Sequence, residues 1–264
     1  VDNKSWLNAP ALKAIKTIFP TTKIVNIVTD DITGTAKNQW RLTLKNAKYF
    51  DWIFVQRSVN IDELKQLGAR NVGLCYRSYD PAFHRPIELN EEERMKYKCA
   101  VGFVGTYEVE REEYIAYLIQ NNIPVSITGD SWPGGKYWEL IKPYYKGPSV
   151  YGEDYIKTIN GMDIALHFLR RRNRDEQDSR TFEIPACGIF MLAEKSTAHL
   201  SLFADGREAV FFTAKEELLE KVKYYLEHEE ERKSIAEAGL KRCRDSGYSH
   251  QKRLEKVLDQ IFCS

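Results

Sequence analysis

The chain has 264 residues, of which 39 are basic and 38 acidic, giving a formal net charge of +1 with a hydrophobic content of 43%. This length and content allow two domains of ordinary size with real cores, and the balanced charge argues against nucleic acid or an anionic membrane as a partner. Because the five cysteines show no CxxC spacing, and neither a secretory signal nor a membrane-length apolar run is visible, we expect a cytoplasmic protein with reduced thiols and no zinc site.

The N-terminal part of the chain predicts a first parallel sheet. Residues 4–18 have the pattern of a helix that leads into a strand, and residues 62–67 predict a second helix that ends at Gly68. Three short apolar runs predict the strands: 23–28, 52–56 and 72–76. Since the chain starts at Val1 with a helix directly behind it, we expect that a preceding segment is missing.

A second parallel sheet is predicted after the charged run 88–98, which has the polarity of a connection between domains. Its strands are five apolar runs that alternate with helical segments: 101–104, 125–128, 164–168, 189–192 and 209–212. Three further helices are predicted, the second ending at Gly239: 216–226, 229–239 and 250–262. The chain is therefore divided into three parts: an N-terminal domain 1–90, a C-terminal domain 91–247 and a final helical segment 248–264.

Glycines follow the first two strands of the second sheet, where a ligand can approach the backbone at the carboxyl edge. Gly105 and Thr106 are candidates for a phosphate contact, and Gly129 for the floor of the same pocket. Ordinary tight turns are the alternative, with Trp132 covering the core. Either Tyr144 or Tyr145 stacks on a base or packs in the core.

Four arginines in five residues follow the strand that ends near His167: Arg170, Arg171, Arg172 and Arg174. Guanidinium groups bind anions through two parallel hydrogen bonds, which lysine cannot make. We expect one or two of them, Arg170 among them, to face phosphate, while the others lie in a solvated loop. The segment is also a candidate lid over a ligand.

The segment 180–192 joins a charged helix start to a glycine-terminated helix and an apolar strand. A helix N-terminus stabilises phosphate through its unpaired N–H groups and partial positive charge. Arg180 adds a fixed charge and Thr181 a hydroxyl, and Glu183 can accept hydrogen bonds from the two hydroxyls of a ribose. The alternative for Glu183 is a cap on its own helix.

Arg-Thr-Phe-Glu-Ile-Pro-Ala-Cys-Gly at 180–188, followed by an apolar strand and the helical segment 218–239, resembles the donor-binding domain of the CgeB-like spore-maturation glycosyltransferases. These are relatives of the family 4 enzymes. The resemblance runs from about residue 23 to the C-terminus. It implies an α/β protein of GT-B type, with two Rossmann-like domains facing a cleft, of which the N-terminal one is short or truncated.

The resemblance also implies the reaction and the ligands. A sugar is transferred from a nucleotide-diphosphate sugar, with UDP-sugar as the expected donor, to a hydroxyl of a glycan, lipid-linked or protein acceptor. Neither a cofactor nor a metal ion is expected, and no Asp-x-Asp motif of the metal-dependent GT-A kind is visible. Donor base, sugar, acceptor and oligomeric state stay open.

By the same resemblance, Arg111, six positions after Gly105, contacts the diphosphate; the alternative is a solvated position among neighbouring glutamates. The loop with Ser149 and Val150 holds the nucleobase through backbone groups. Glu183 corresponds to the second of two family glutamates separated by seven residues. Asp175 occupies the first position with a shorter arm, so either it or Glu176 contacts the sugar.

Asp30 and Asp31 end the first strand and are candidates for the base that deprotonates the acceptor in an inverting mechanism; alternatively they cap a helix or bind a loop amide. His84 is a second candidate for catalysis, with a structural role as the alternative. In a retaining mechanism the departing diphosphate takes the proton. In either mechanism, catalysis rests on positioning and on stabilisation of the diphosphate by Arg111, Arg180, a neighbour such as Arg170 and the helix N-terminus.

Two other functions fit the same architecture. The first is a catalytically inactive domain that binds a nucleotide sugar or acts as a scaffold, and the second is a nucleotide-sugar epimerase or hydrolase. Donor hydrolysis argues against the first, and product analysis without an acceptor distinguishes the second from transfer.

Overall fold

The computed structural model describes residues 8–35 and 37–263. In chain order, the helices and strands are α1 (Ala9–Ile18), β1 (Val25–Ile27), α2 (Arg41–Lys45), β2 (Trp52–Val55), α3 (Val59–Gln66), β3 (Val72–Leu74), α4 (Glu91–Tyr97), β4 (Cys99–Val104), α5 (Val109–Gln120), β5 (Ser126–Thr128), α6 (Trp138–Ile141), β6 (Tyr145–Gly147), α7 (Gly152–Asn160), β7 (Met162–His167), α8 (Arg180–Ala186), β8 (Phe190–Glu194), α9 (Thr197–Leu202), β9 (Val210–Phe212), α10 (Lys215–Glu227), α11 (Glu229–Asp245) and α12 (His250–Phe262). Short 3-10 helices lie at Ala47–Tyr49, Lys142–Tyr144 and Arg171–Asn173.

The described chain folds as two compact units. The first comprises the residues up to Arg77, the loop Arg170–Asp178 and the residues from His250 onward; the second comprises Ser78–Leu169 and Ser179–Ser249. The change of unit therefore comes at residue 77, whereas the sequence places the first domain boundary near residue 90. Segment 78–90 lies in the second unit because its backbone is bonded there, as when Ile87 N–H donates to the side chain of Asn160 over 3.0 Å.

The first unit contains a parallel sheet with the strand order β1-β2-β3. Successive side chains of a strand point to opposite faces. Ile53 and Val55 of β2 accordingly share one cluster with Leu64 of α3. Phe54 instead packs with Val257 and Ile261 of α12. The last helix therefore covers one face of this sheet.

The second unit contains a parallel sheet with the order β6-β5-β4-β7-β8-β9 among the described residues. Residues 101–104 of β4 are all buried, so both faces of the central strands are covered, as is usual for parallel sheets. The five apolar runs predicted as strands are confirmed. Strand β6 was missed because it is a three-residue edge strand with an exposed Lys146 at its centre, which lacks an apolar signal.

The charged run 88–98, expected as a connection, contains a helix. Asn90 and Glu93 form a capping box at the start of α4, in which each side chain accepts a hydrogen bond from the other's backbone N–H. Within the described residues, none of the helices combines the length and apolar content needed to cross a membrane.

The predicted end of a helix at Gly239 is wrong, because α11 continues to Asp245. Gly239 is buried, and an added Cβ would lie 2.4 Å from the backbone oxygen of Glu208. The glycine is therefore explained by a close approach of two backbone segments and not by a C-cap.

We predict that Gly239→Ala destabilises the protein by about 1–3 kcal/mol, because the new methyl group must displace the Glu208 carbonyl. In an ordinary helix interior the same change stabilises by roughly 1 kcal/mol, so the sign of the effect is diagnostic. Urea denaturation measures it, with Ser234→Ala at an exposed position of α11 as the control that should be neutral or slightly stabilising. A gain in stability for Gly239→Ala would contradict the close contact.

Candidate functional site

The loops after β4, β5 and β6 meet at the carboxyl edge of the second sheet, since parallel strands end on the same side. Gly105 N–H donates to the oxygen of Thr128 over 2.9 Å, and Gly129 N–H donates to that of Gly147 over 3.0 Å. The three glycines that end these strands are thereby held side by side. This edge is where α/β sheets ordinarily bind ligands.

Gly129 cannot be replaced without moving its neighbour. Its φ is +154°, and an added Cβ would lie 1.9 Å from the oxygen of Gly105. That oxygen also accepts a 2.9 Å hydrogen bond from the indole of Trp132, which is 1% exposed. Trp132 thus packs in the core as the simpler sequence interpretation has it, while Gly129 lies at the candidate site.

Asp130 organises the loop with Ser149, which the sequence assigned to the nucleobase. Ser149 donates to the Asp130 carboxylate twice, from its backbone N–H over 2.9 Å and from its hydroxyl over 2.6 Å. These bonds hold the pKa of Asp130 below its usual value. Nearby, the hydroxyl of Tyr145 donates to the oxygen of Gly129 over 3.0 Å, so this tyrosine supports the loop. Sequence reasoning did not single out Asp130, whose role depends on a partner 19 residues away.

Arg111, expected at the diphosphate, is 5% exposed in the first turn of α5. Its guanidinium donates to the backbone oxygen of Thr106 over 2.9 Å and to that of Phe168 over 3.1 Å. It therefore joins the loop after β4 to the end of β7 and gives the edge of the sheet a buried positive charge.

Thr181 lies in the interior, with 0% exposure, although the sequence offered its hydroxyl to phosphate. The hydroxyl is 3.1 Å from Nε2 of His167 and 2.9 Å from Nε2 of His199. His199 Nδ1 is 2.7 Å from the oxygen of Glu194, to which it donates. In the neutral ring, Nε2 of His199 is then an acceptor. The Thr181 hydroxyl therefore donates to Nε2 of His199 and accepts a hydrogen bond from Nε2–H of His167. Thr181 thus fixes the start of α8 to the strand ends.

Glu183 lies one turn into α8 and is held by two residues of the second unit. The hydroxyl of Tyr155 donates to Oε2, and Nε2 of His84 lies 3.5 Å from Oε1. Burial, and after it the Glu183 carboxylate, raise the pKa of Tyr155 well above its usual value, against the opposing effect of Arg180. The phenol therefore stays a hydrogen-bond donor. Tyr155 carries no motif that sequence reasoning could have used.

Asp31, one of two candidate bases, is paired with Arg174 within the first unit. Arg174 donates to Oδ1 over 2.5 Å and to Oδ2 over 2.6 Å, and Asn60 donates to Oδ1 over 2.9 Å. Burial acts to raise the pKa of Asp31, but the bonds from Arg174 and Asn60 outweigh it and hold the pKa below its usual value. A fully buried, ion-paired carboxylate of low pKa is a poor general base. Asp30 lies in a cavity of the same unit together with Arg170.

Asp175 and Glu176, the two candidates for a sugar contact, are also bonded within the first unit. Asp175 forms an ion pair with Arg57. Burial nevertheless raises the pKa of Asp175, because the opposing effect of Arg57 is smaller. Glu176 accepts from the backbone N–H of Ser58 over 3.0 Å. Both carboxylates therefore fix the loop 170–178.

Comparison with known proteins gives a consistent picture. The model of a family described as "Glycosyl transferase-like" matches residues 111–259. The spore protein CgeB of Bacillus subtilis (strain 168) is 25% identical over 198 residues, which cover 65% of this chain and 60% of that protein. The chain thus spans about 60% of the length of this curated relative.

Several solved structures resemble a larger part of the chain than this relative does. HepE from Anabaena, crystallised with UDP-glucose, has a TM-score of 0.71 at 14% identity, covering 97% of this chain and 77% of that one. A glycosyltransferase from Rickettsia africae has a TM-score of 0.64 at 12% identity, covering 97% and 82%. At such identities the likeness concerns the fold, and the expected α/β protein of GT-B type is confirmed. Its N-terminal sheet is small, with three strands among the described residues.

We predict that Gly129→Ala destabilises the protein by at least about 2 kcal/mol, because strain at positive φ is added to a clash with the Gly105 carbonyl. Gly134→Ala is the matched control, since Gly134 also has a positive φ of +97° but no atom within 4 Å of an added Cβ. Thermal and urea unfolding measure both variants. Equal losses would show that the backbone contact contributes nothing.

We predict that Asp31→Asn lowers the free energy of unfolding at neutral pH by about 2 kcal/mol through loss of charged hydrogen bonds, whereas Asp30→Asn changes it by less than about 0.5 kcal/mol. Because the folded-state pKa of Asp31 is lowered, its contribution is complete above the unfolded pKa of about 4 and is lost as the pH falls through the folded value. Urea denaturation at neutral and acidic pH tests this. The difference in the free energy of unfolding between the wild type and Asp31→Asn should become smaller in acid. A difference that does not change with pH would contradict the prediction.

Proposed function

Since the chain belongs to the glycosyl transferase-like family, we propose that it transfers a hexosyl group from a UDP-sugar to an acceptor hydroxyl without a metal ion. The observation that carries this proposal is the carboxylate of Glu183, which Tyr155 and His84 hold at the start of α8, beside the strand ends. The fold shared with HepE, which was crystallised with UDP-glucose, supports the choice of donor.

In this proposal the nucleotide lies across the carboxyl edge of the second sheet. Glu183 accepts hydrogen bonds from the ribose hydroxyls, and Tyr155 and His84 orient it. The backbone of Ser149 and Val150 meets the base, where Asp130 already fixes Ser149. These contacts are made by groups that the free protein holds in place, which lowers the entropic cost of binding.

The diphosphate is assigned to Arg180 and to the loops with Gly105, Thr106 and Gly129. The two glycines let it approach the backbone closely, while their own N–H groups donate to Thr128 and Gly147. Arg111 acts from behind this loop, since its guanidinium is bonded to the oxygen of Thr106. A positive side chain and the N–H groups at the start of α8 stabilise the charge that develops on the leaving group. Because the protein itself supplies this positive charge, no cation is needed.

The chemical step joins the acceptor oxygen to the anomeric carbon of the sugar. The bond from that carbon to the diphosphate oxygen breaks, and UDP leaves with the electron pair. The acceptor proton goes to Asp30 if the configuration inverts, or to the departing diphosphate if it is retained. The carboxylate of Asp31 is committed to Arg174 and takes no part.

We predict that UDP raises the unfolding temperature of the wild type and that Glu183→Ala weakens UDP binding at least about tenfold, since the ribose loses charge-assisted hydrogen bonds. Titration calorimetry with UDP, GDP, TDP, ADP and CMP measures the affinities. Glu237→Ala, at an exposed position of α11, is the control and should bind like the wild type. Tyr155→Phe removes only the orienting hydroxyl and should have an intermediate affinity.

Wild-type affinity of Glu183→Ala for every nucleotide would contradict the assignment. Release of UDP from UDP-hexoses, followed with and without EDTA, tests turnover and metal independence. Loss of turnover in EDTA would overturn the metal-free mechanism. Binding without any donor turnover would favour the scaffold function instead.

A further inference from the structure

The first unit contains a groove of about 530 Å³ between the segment that follows β1 and helix α3. Its described lining residues differ from those of the cavity with Asp30. The donor contacts are assigned to the second unit, so they leave this groove unused. Its lining, called the basic groove below, combines three cationic side chains with two aliphatic ones: Lys37, Arg41, Lys45, Leu44 and Leu67.

The positive charge of the basic groove has a local origin in the sequence. Residues 32–50 contain four cations and no carboxylate, although the whole chain is nearly balanced in charge. Arg41 and Lys45 lie four residues apart on α2, so they share one side of that helix. Together with Lys37 they are exposed, and across residues 8–35 and 37–263 none of the three forms an ion pair. Their charge is therefore available to a partner.

Glu63 is the one carboxylate among the described residues that line the groove. Arg174 donates to its Oε1 over 2.8 Å, and Asn60 donates to its Oε2 over 3.1 Å. Since Arg174 also pairs with Asp31, this cluster of one guanidinium and two carboxylates carries one negative charge. Three cations line the groove against it. The groove thus keeps an excess of positive charge.

The cationic surface continues beyond the groove. The ammonium groups of Lys13 and Lys48 each lie 5.4 Å from the centre of the Tyr49 ring. A Cβ added to Gly68, which follows the lining residue Leu67, would lie 3.9 Å from Cβ of Lys48. Both lysines are exposed. The positive surface therefore extends from the groove to Tyr49.

The shape and the apolar side chains of the basic groove favour one class of anionic partner. A bilayer is bound by an apolar face that enters it, which a recessed groove does not offer. Single-stranded nucleic acid is bound by stacking on aromatic rings, and the described lining of the groove contains none. Leu67 is 51% exposed, so burying it under an aliphatic side chain is favourable. An acidic peptide supplies both carboxylates and aliphatic side chains.

We propose that the basic groove binds an extended acidic segment of a partner protein. Carboxylates of this segment pair with Lys37, Arg41 and Lys45, and one of its aliphatic side chains packs on Leu67. Exposed ion pairs are individually weak, so the affinity comes from several of them together with the apolar contact. This docking goes beyond the proposed glycosyl transfer and uses none of the residues assigned to the donor.

The test is fluorescence anisotropy on the whole chain with a labelled peptide of repeated Asp-Asp-Leu units. The matched peptide with Asn in place of every Asp should bind at least about tenfold more weakly, because it lacks charge-assisted hydrogen bonds. The affinity of the acidic peptide should fall as the salt concentration rises, since the cations of the groove are exposed.

The double variant Arg41→Gln/Lys45→Gln should weaken the acidic peptide about tenfold, because two of its ion pairs are lost. Both side chains are exposed, so the variant should keep the unfolding temperature of the wild type and its affinity for UDP. Lys23→Gln/Arg70→Gln is the matched control. It also removes two exposed positive charges of the first unit, but neither residue lines the groove, so it should bind the peptide normally.

Equal affinity for the acidic and the Asn peptide, or no binding of the acidic one, would overturn the proposal. The same holds if the two double variants bind the peptide equally well. Anionic phospholipid vesicles and a single-stranded oligonucleotide are tested as competitors. Displacement of the labelled peptide by either, at a lower concentration of charge than the unlabelled peptide needs, would also overturn it. UDP binding and turnover of UDP-hexoses are measured separately, so failure of the proposed transferase function is seen independently.

Discussion

The backbone contact between Gly105 and Gly129 is the constraint on which the carboxyl edge of the second sheet depends. A methyl carbon added at Gly129 would lie 1.9 Å from the Gly105 oxygen, so the two loops lie in direct backbone contact. That oxygen also accepts the Trp132 indole N–H, which ties the contact to the core. The N–H groups of Gly105 and Gly129 donate to the oxygens of Thr128 and Gly147, so these glycines hold the strand ends together.

In each unit a buried guanidinium group joins two backbone segments through hydrogen bonds. Arg111 joins the loop after β4 to the end of β7, and Arg57 joins the end of β1 to the loop 170–178. Each donates to backbone oxygens of two separate segments, so its role is structural as well as electrostatic. Arg111, which the sequence assigned to a diphosphate, thus holds a loop in place.

The secondary structure was largely predictable, whereas the roles of several polar residues were not. Apolar runs and the spacing of the last helix predicted most strands and α12, because burial imposes periodicity that is local in the sequence. Glu183 could be singled out from its position after a helix start. Its contacts with Tyr155 and His84 could not be predicted, because these partners lie 28 and 99 residues away in the sequence and no pattern links them to Glu183.

The sequence by itself determined the fold class, the two sheets and the family resemblance, since each depends on composition and spacing along the chain. Tertiary structure decided how the charges are used. Asp30 and Asp31 are adjacent and chemically identical, yet only Asp31 is paired with Arg174, 143 residues later. The same holds for Gly239, which ends no helix but admits the Glu208 carbonyl. Contacts between distant segments set burial and hydrogen bonding, and these in turn decide which carboxylate is ion-paired and which glycine lies against another backbone segment.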